Sequence, residues 1–304
     1  MIDPLKQKSE IKTNSSVNII KEDLSKEKNT QKAIEQLDKL RSDTFTNKSN
    51  IRSTDTVGIK NDEDTYSFAL RMTNPEVYIS EKSGESINYR LYKPENIENN
   101  KKYPLIIFLH GAGERESDNK SQLRWCVGEI IDHMQKNNEP SYVIAPQCPK
   151  KEQWVNIPRT YTQREITPEP SKSVRLTKEL IDKFKEENPV DEKRIYIVGL
   201  SMGGFGAFDL LERNPGDFTA AATFCSSGDP SYAKQLSDTP IWMFMGSKDT
   251  VVPLYRVREM AEALKKEGNI MKYTEYPEIG HDVWTAAINN PELLKWLLEQ
   301  KKNH

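Results

Sequence analysis

Polar and apolar positions divide this chain near residue 62. Ahead of that point Lys, Asn, Ser, Thr, Glu and Asp dominate, and aliphatic residues stand singly. One short stripe, Ala33, Ile34, Leu37 and Leu40, has helical spacing, with Thr30 or Asn29 available as its cap. So short a stripe is marginal alone, and residues 1–62 are expected to be a polar extension, disordered or loosely docked. From residue 63 to 304 the texture is that of one globular domain. Tyr66, Phe68 and Leu70 alternate with other residues, which predicts an edge strand within Thr65 to Met72. Glu76 to Ser80 and Ile87 to Tyr92 flank Lys82-Ser83-Gly84-Glu85 and read as a hairpin.

The rest of the chain alternates between two kinds of segment. Pro104 to Leu109 is an unbroken apolar run, as expected of a strand buried on both faces. Tyr142 to Ala145, Arg194 to Val198, Thr219 to Phe224, Pro240 to Met245 and Met271 to Tyr276 are the further strands. Between them fall helical patterns at Leu123 to Met134, around Leu176, Leu180, Ile181 and Phe184, at Tyr255 to Lys266 and at Pro291 to Gln300. Strands alternating with helices predict an α/β fold: a mostly parallel sheet covered on both sides, with the leading hairpin as antiparallel edge strands.

Composition narrows the partners. Net charge is −2 with both signs interspersed, which argues against a nucleic acid as the main partner. No apolar stretch approaches the length of a membrane span. The first ten residues lack an apolar signal segment, so a cytoplasmic location is the expectation for the chain as written. A processed, secreted chain would begin the same way. Cys126, Cys148 and Cys225 are odd in number and dispersed, and suit neither a disulfide framework nor a zinc cluster. At least two are expected to be buried thiols, and Cys148, in a polar loop, is the one for which exposure stays open.

The chemistry centres on Gly199-Leu200-Ser201-Met202-Gly203-Gly204, which follows the Arg194 strand and precedes an apolar helical segment. A strand, a tight turn carrying one serine between small residues, and a helix make the nucleophile elbow of a serine hydrolase. The plain alternative is a glycine-rich turn with an incidental serine, and the histidines decide between the two. The chain has four. His304 ends it, His133 lies in a helical pattern and His110 closes an apolar strand. His281, in Glu278-Ile279-Gly280-His281-Asp282, occupies a loop after the last strand, where a general base belongs. Asp249 follows the Trp242 strand and completes the chain order Ser, Asp, His; Asp282 adjoins the base too closely to fold back on it. The backbone N–H of Met202, opening a helix, and that of Ala112, in Gly111-Ala112-Gly113, are the expected oxyanion donors, with Gly111 or Gly113 as alternatives at the second position.

These pieces resemble the α/β-hydrolase superfamily, and within it the carboxylesterase and predicted-peptidase group related to polyhydroxybutyrate depolymerases and to feruloyl and acetylxylan esterases. The resemblance is carried by Leu109 to Arg115, Ala145 to Pro149, Gly199 to Gly204, Gly246 to Asp249 and Gly280 to Trp284, over the chain from about residue 75 onward. It implies a cofactor-free, metal-free hydrolase that works through an acyl-enzyme on Ser201, with Asp249 as acid, His281 as base and Ala112 and Met202 as oxyanion donors. Such proteins often continue with glycine after Glu114-Arg115, where this chain has Glu116-Ser117-Asp118-Asn119. Trp125, Trp154 and Trp284 are candidates to border the pocket, and Trp154, in a polar context, is the one expected to face substrate. No long apolar lid is evident, so the expected substrates are short-chain or hydroxycinnamoyl esters of carbohydrates, either small molecules or oligosaccharides. The same machinery serves serine peptidases and thioesterases, and a non-catalytic binding module on this fold is the reading from another class. Nothing in the pattern specifies an oligomeric state.

Overall fold

The computed structural model describes residues 64–95, 97–157, 162 and 165–302. The polar extension and its Ala33–Leu40 stripe lie outside them.

Eight strands form one sheet in the order β1-β2-β4-β3-β5-β6-β7-β8. β1 (Asn74–Ile79) and β2 (Ser86–Tyr92) are the expected hairpin, and β2 also runs antiparallel to β4 (Tyr142–Pro146). The remaining pairs, through β3 (Tyr103–Leu109), β5 (Val190–Leu200), β6 (Ala220–Phe224), β7 (Ile241–Gly246) and β8 (Lys272–Tyr276), are parallel. Every residue of β3, β4, β6 and β7 is buried, because helices cover both faces of the central strands. The chain passes from β3 outward to β4, then crosses to β5 on the other side of β3. This reversal opens a crevice at the carboxyl ends of β3 and β5, where ligands bind in open α/β sheets.

The first segment departs from expectation. Thr65–Met72 is a helix, α1, and not an edge strand. Its start is capped by Asp64, whose Oδ1 accepts from the Ser67 N–H at 2.7 Å. Phe68 and Ala69, adjacent in sequence, are both buried, as a helix face allows and a strand does not. They pack toward α2 (Val127–Lys136), whose Gly128 lies so close that a Cβ there would fall 2.2 Å from the Thr65 carbonyl oxygen. α2 itself begins later than the apolar pattern suggests. A 3-10 turn at Ser121–Leu123 and a left-handed Cys126 (φ 66°) precede it.

α3 (Lys172–Glu187), α4 (Met202–Arg213), α5 (Leu254–Lys266) and α7 (Pro291–Glu299) fall where the periodicity places them, and a short α6 (Trp284–Ile288), not expected from the pattern, follows the His281 loop. α3 is capped by Ser171, which accepts from the Val174 N–H at 3.1 Å. α7 packs on β5 and β6, and the buried Tyr196 of β5 anchors its end by donating to the Gln300 carbonyl at 2.7 Å. Among the described residues no helix is long and apolar enough to cross a membrane.

Candidate active site

Ser201 sits between β5 and α4 with φ 49° and ψ −119°. Such dihedrals cost a side-chain-bearing residue on the order of 1–3 kcal/mol, and the surroundings must hold them. Its N–H donates to the Phe224 carbonyl at the end of β6 (2.8 Å), and its own carbonyl accepts from Gly204 at 2.9 Å. Glycine at 203 is a requirement of close approach. A Cβ there would lie 2.0 Å from the Leu109 carbonyl oxygen and 2.5 Å from that of His110. The first turn of α4 is thereby pressed against the end of β3, beside the loop that carries Ala112.

The loops after β7 and β8 are joined through their backbones. Ser247 donates to the Tyr276 carbonyl at 3.0 Å and Lys248 to that of Ile279 at 2.9 Å. A Cβ on Gly246 would come within 2.2 Å of the Gly280 carbonyl oxygen. Asp249 and His281 are thus delivered side by side. The Asp249 carboxylate, with no exposed side-chain surface, accepts at Oδ1 from the N–H groups of Val251 (2.7 Å) and Val252 (2.9 Å). Its Oδ2 lies 2.8 Å from His281 Nδ1, and His281 Nε2 lies 2.8 Å from Ser201 Oγ. An ionised carboxylate only accepts, so the ring proton is on Nδ1 and Nε2 is the acceptor that faces the serine hydroxyl. Ser201 is 4% exposed and the His281 side chain 8%, which marks a narrow opening onto the crevice.

His110 has a different task. It is fully buried, and its Nε2 accepts from the Cys148 N–H at 2.9 Å. The proton is therefore on Nδ1, which donates to the Gly111 carbonyl at 2.7 Å. That carbonyl belongs to the same planar peptide as the Ala112 N–H, so the bond orients the N–H in the opposite direction. Arg115 holds the next carbonyl, that of Ala112, at 2.9 Å. Burial lowers the His110 pKa from 6.5 to about 4. The folded state thus disfavours the charged ring that the unfolded chain acquires below about pH 6.5. His110 should withdraw stability as pH falls from about 6.5 to 4, by on the order of 3 kcal/mol. Urea unfolding of the wild type and His110→Gln across this range checks it: the difference between the two should shrink toward low pH, and a constant difference would refute it.

The three tryptophans separate. Trp154 is fully buried, its Nε1 donates to the His110 carbonyl at 2.9 Å, and its ring packs edge-on to His110 at 5.3 Å. It also fills the space over Gly206 of α4. The expectation that it faces substrate is therefore corrected: the polar residues around it in sequence turn outward while the indole goes into the core. Trp154→Ala should lower unfolding free energy by about 3–5 kcal/mol, measured by urea denaturation. Trp284 is buried with its ring 5.6 Å from the His281 ring, and Trp125, partly exposed, lies 6.1 Å from Trp284. The pair borders the base. Cys148 is buried as well, and burial pushes its thiol up to about 12.

Two residues near the site escaped the sequence reading. Glu114 is 3% exposed and accepts at Oε1 from Trp125 Nε1 at 3.2 Å, which ties the loop after β3 to the aromatic pair. Cys225, at the end of β6, is buried in a left-handed conformation (φ 42°) with its sulfur within 4.8 Å of the facing atoms of Asp249 and His281. The place of Glu114 in the glycine loop after β3 offered a faint signal for the first; the second left none, since only the sheet order brings β6 and β7 together. The cavity on the flank of α4, lined by Phe205, Glu212, Asp229 and Arg256, has about 30 Å³ of room, enough for water but not for a substrate.

Fold and site together define the class: the chain has the α/β-hydrolase fold, with a serine, a histidine and an aspartate joined as a hydrolytic triad. Residues 142–286 match the dienelactone hydrolase family. A crystal structure of a thermostable esterase is 34% identical, with a TM-score of 0.71 over 77% of this chain and 64% of its own. A bifunctional acetylxylan esterase/xylanase of Neocallimastix patriciarum is 24% identical over 57% of this chain, and the chain spans 23% of that protein. A ferulic acid esterase structure, 17% identical with a TM-score of 0.57 over 74% of this chain and 97% of its own, shares the fold.

Proposed function

We propose that this protein hydrolyses carboxylic esters through an acyl-enzyme on Ser201. The observation that carries the reading is the continuous hydrogen-bonded relay from Asp249 through His281 to Ser201, at the mouth of the sheet crevice. In this mechanism His281 Nε2 takes the serine proton as Oγ attacks the ester carbonyl. The imidazolium formed is stabilised by Asp249, and it then protonates the departing alcohol. Water, activated by the same nitrogen, releases the acid. The N–H of Met202, at the unsatisfied start of α4, and the N–H of Ala112, oriented through Gly111 and His110, are the donors for the tetrahedral oxyanion.

The preferred substrates are short-chain or hydroxycinnamoyl esters of carbohydrates. Supporting this are the partly exposed Trp125 beside buried Trp284 and the similarity to proteins described as esterases of acetylxylan and ferulic acid. Trp125→Ala should raise KM for methyl ferulate about five- to tenfold, with KM for p-nitrophenyl acetate unchanged.

The test of the class is labelling by a serine-reactive fluorophosphonate, expected for the wild type and lost in Ser201→Ala. Absence of labelling would leave a binding module on a hydrolase fold. A panel of p-nitrophenyl esters, methyl ferulate, acetylated xylan, acyl-thioesters and peptide amides tests the substrate. Turnover confined to thioesters or amides would overturn the ester reading.

A further inference from the structure

Cys225 has no part in ester hydrolysis, yet the end of β6 aims it at the acid–base pair. Its Sγ, an Asp249 carboxylate oxygen and an imidazole nitrogen of His281 all lie within 4.8 Å of one another. All three side chains are withdrawn from solvent, and His281 alone of them keeps some exposed side-chain surface. A tetrahedral zinc site with one sulfur, one nitrogen and one oxygen ligand needs those atoms about 3.4–3.6 Å apart. Here the carboxylate and the ring nitrogen are 2.8 Å apart, so they must part slightly while the sulfur closes in. Movements of about an ångström suffice. A thiolate with an imidazole selects thiophilic cations such as Zn²⁺ and Cd²⁺ over Mg²⁺ or Ca²⁺.

We propose that Cys225, Asp249 and His281 form an inhibitory site for a thiophilic divalent cation, built across the acid and base of the hydrolytic machinery. On binding, the Cys225 thiol gives its proton to solvent and the sulfur takes the metal. His281 supplies one lone pair, and either nitrogen leads to the same outcome. Coordination through Nε2 consumes the lone pair that would accept the Ser201 proton. Coordination through Nδ1 leaves the single ring proton on Nε2, which then donates where it must accept. In both arrangements Asp249 turns from the imidazole to the metal. Binding itself stands on the three side chains alone. Its inhibitory sign rests on the reading of His281 as the base.

The test is titration of the metal-free full chain with CdCl₂, read in two ways. A thiolate-to-cadmium charge-transfer band in the ultraviolet should grow to one equivalent per chain and vanish in Cys225→Ser. Hydrolysis of p-nitrophenyl acetate should fall by about tenfold or more at saturation, recover with EDTA, and be insensitive to Mg²⁺. In Cys225→Ser, relative to that variant's own uninhibited rate, half-inhibition should need about tenfold more Cd²⁺ or beyond. Cys225→Ala repeats the measurement should the serine variant fold poorly. A band that persists in both variants and disappears on replacing Cys126 or Cys148 would overturn the proposal, as would equal inhibition of variants and wild type. Should the chain turn over no ester, the charge-transfer band still decides whether the site binds metal, so failure of the site and failure of the esterase reading are distinguishable.

Discussion

Ser201→Ala should lower kcat for ester turnover by on the order of 10⁶-fold with little change in thermal stability. The loss is large because serine and histidine act as a unit: without Oγ, His281 has no proton to take and no acyl-enzyme forms. What persists is the contribution of the oxyanion donors and of substrate binding. Stability should hold because alanine keeps the Cβ and so meets the same φ of 49° that serine meets. The backbone bonds that brace the turn, to Phe224 and from Gly204, do not involve the side chain. Steady-state kinetics with p-nitrophenyl acetate and a thermal melt on the same preparation check both parts. A variant within about tenfold of wild type would remove Ser201 from the mechanism.

Asp249→Asn should lower kcat by about 10⁴-fold, and the structure says why an isosteric change does so much. Oδ1 of Asp249 accepts two backbone N–H bonds, from Val251 and Val252. An asparagine there must place its carbonyl oxygen on those donors, since turning its NH₂ toward them would set donor against donor. The NH₂ group then faces His281 Nδ1. The ring is forced to accept at Nδ1 and carry its proton on Nε2, the wrong tautomer to receive a proton from Ser201. Kinetics at neutral pH measure the loss, and ¹⁵N NMR of the His281 ring shows which nitrogen holds the proton. An unchanged tautomer with low activity would count against this explanation.

The central strands of the sheet were legible because their burial is two-sided and complete. Pro104 to Leu109 and Pro240 to Met245 are apolar throughout, and no other element of that length hides every side chain. α1 was misread for the complementary reason. In eight residues Tyr66, Phe68 and Leu70 satisfy a period of two, while Phe68, Ala69 and Met72 satisfy a helical one. The Asp64 cap and the approach of Gly128 select the helix, and the latter is a contact across more than fifty residues. Trp154 and Cys148 follow the same logic. Both lie in a stretch rich in polar residues, yet both serve as partners of the His110 strand end, to which the sequence contains no pointer.

Residue chemistry and chain order alone singled out Ser201, Asp249 and His281, because histidine is scarce and a nucleophile, an acid and a base must follow strands in a fixed succession. Local sequence could specify that much because each residue sits in a turn whose glycines permit it. The tertiary structure supplied the distances that join them. It also turned one tryptophan into core and left another beside the base, and it set the Cys225 sulfur against the acid–base pair. Those outcomes depend on which strands become neighbours, and the order β3-β5-β6-β7-β8 is settled by packing of faces far apart in the chain.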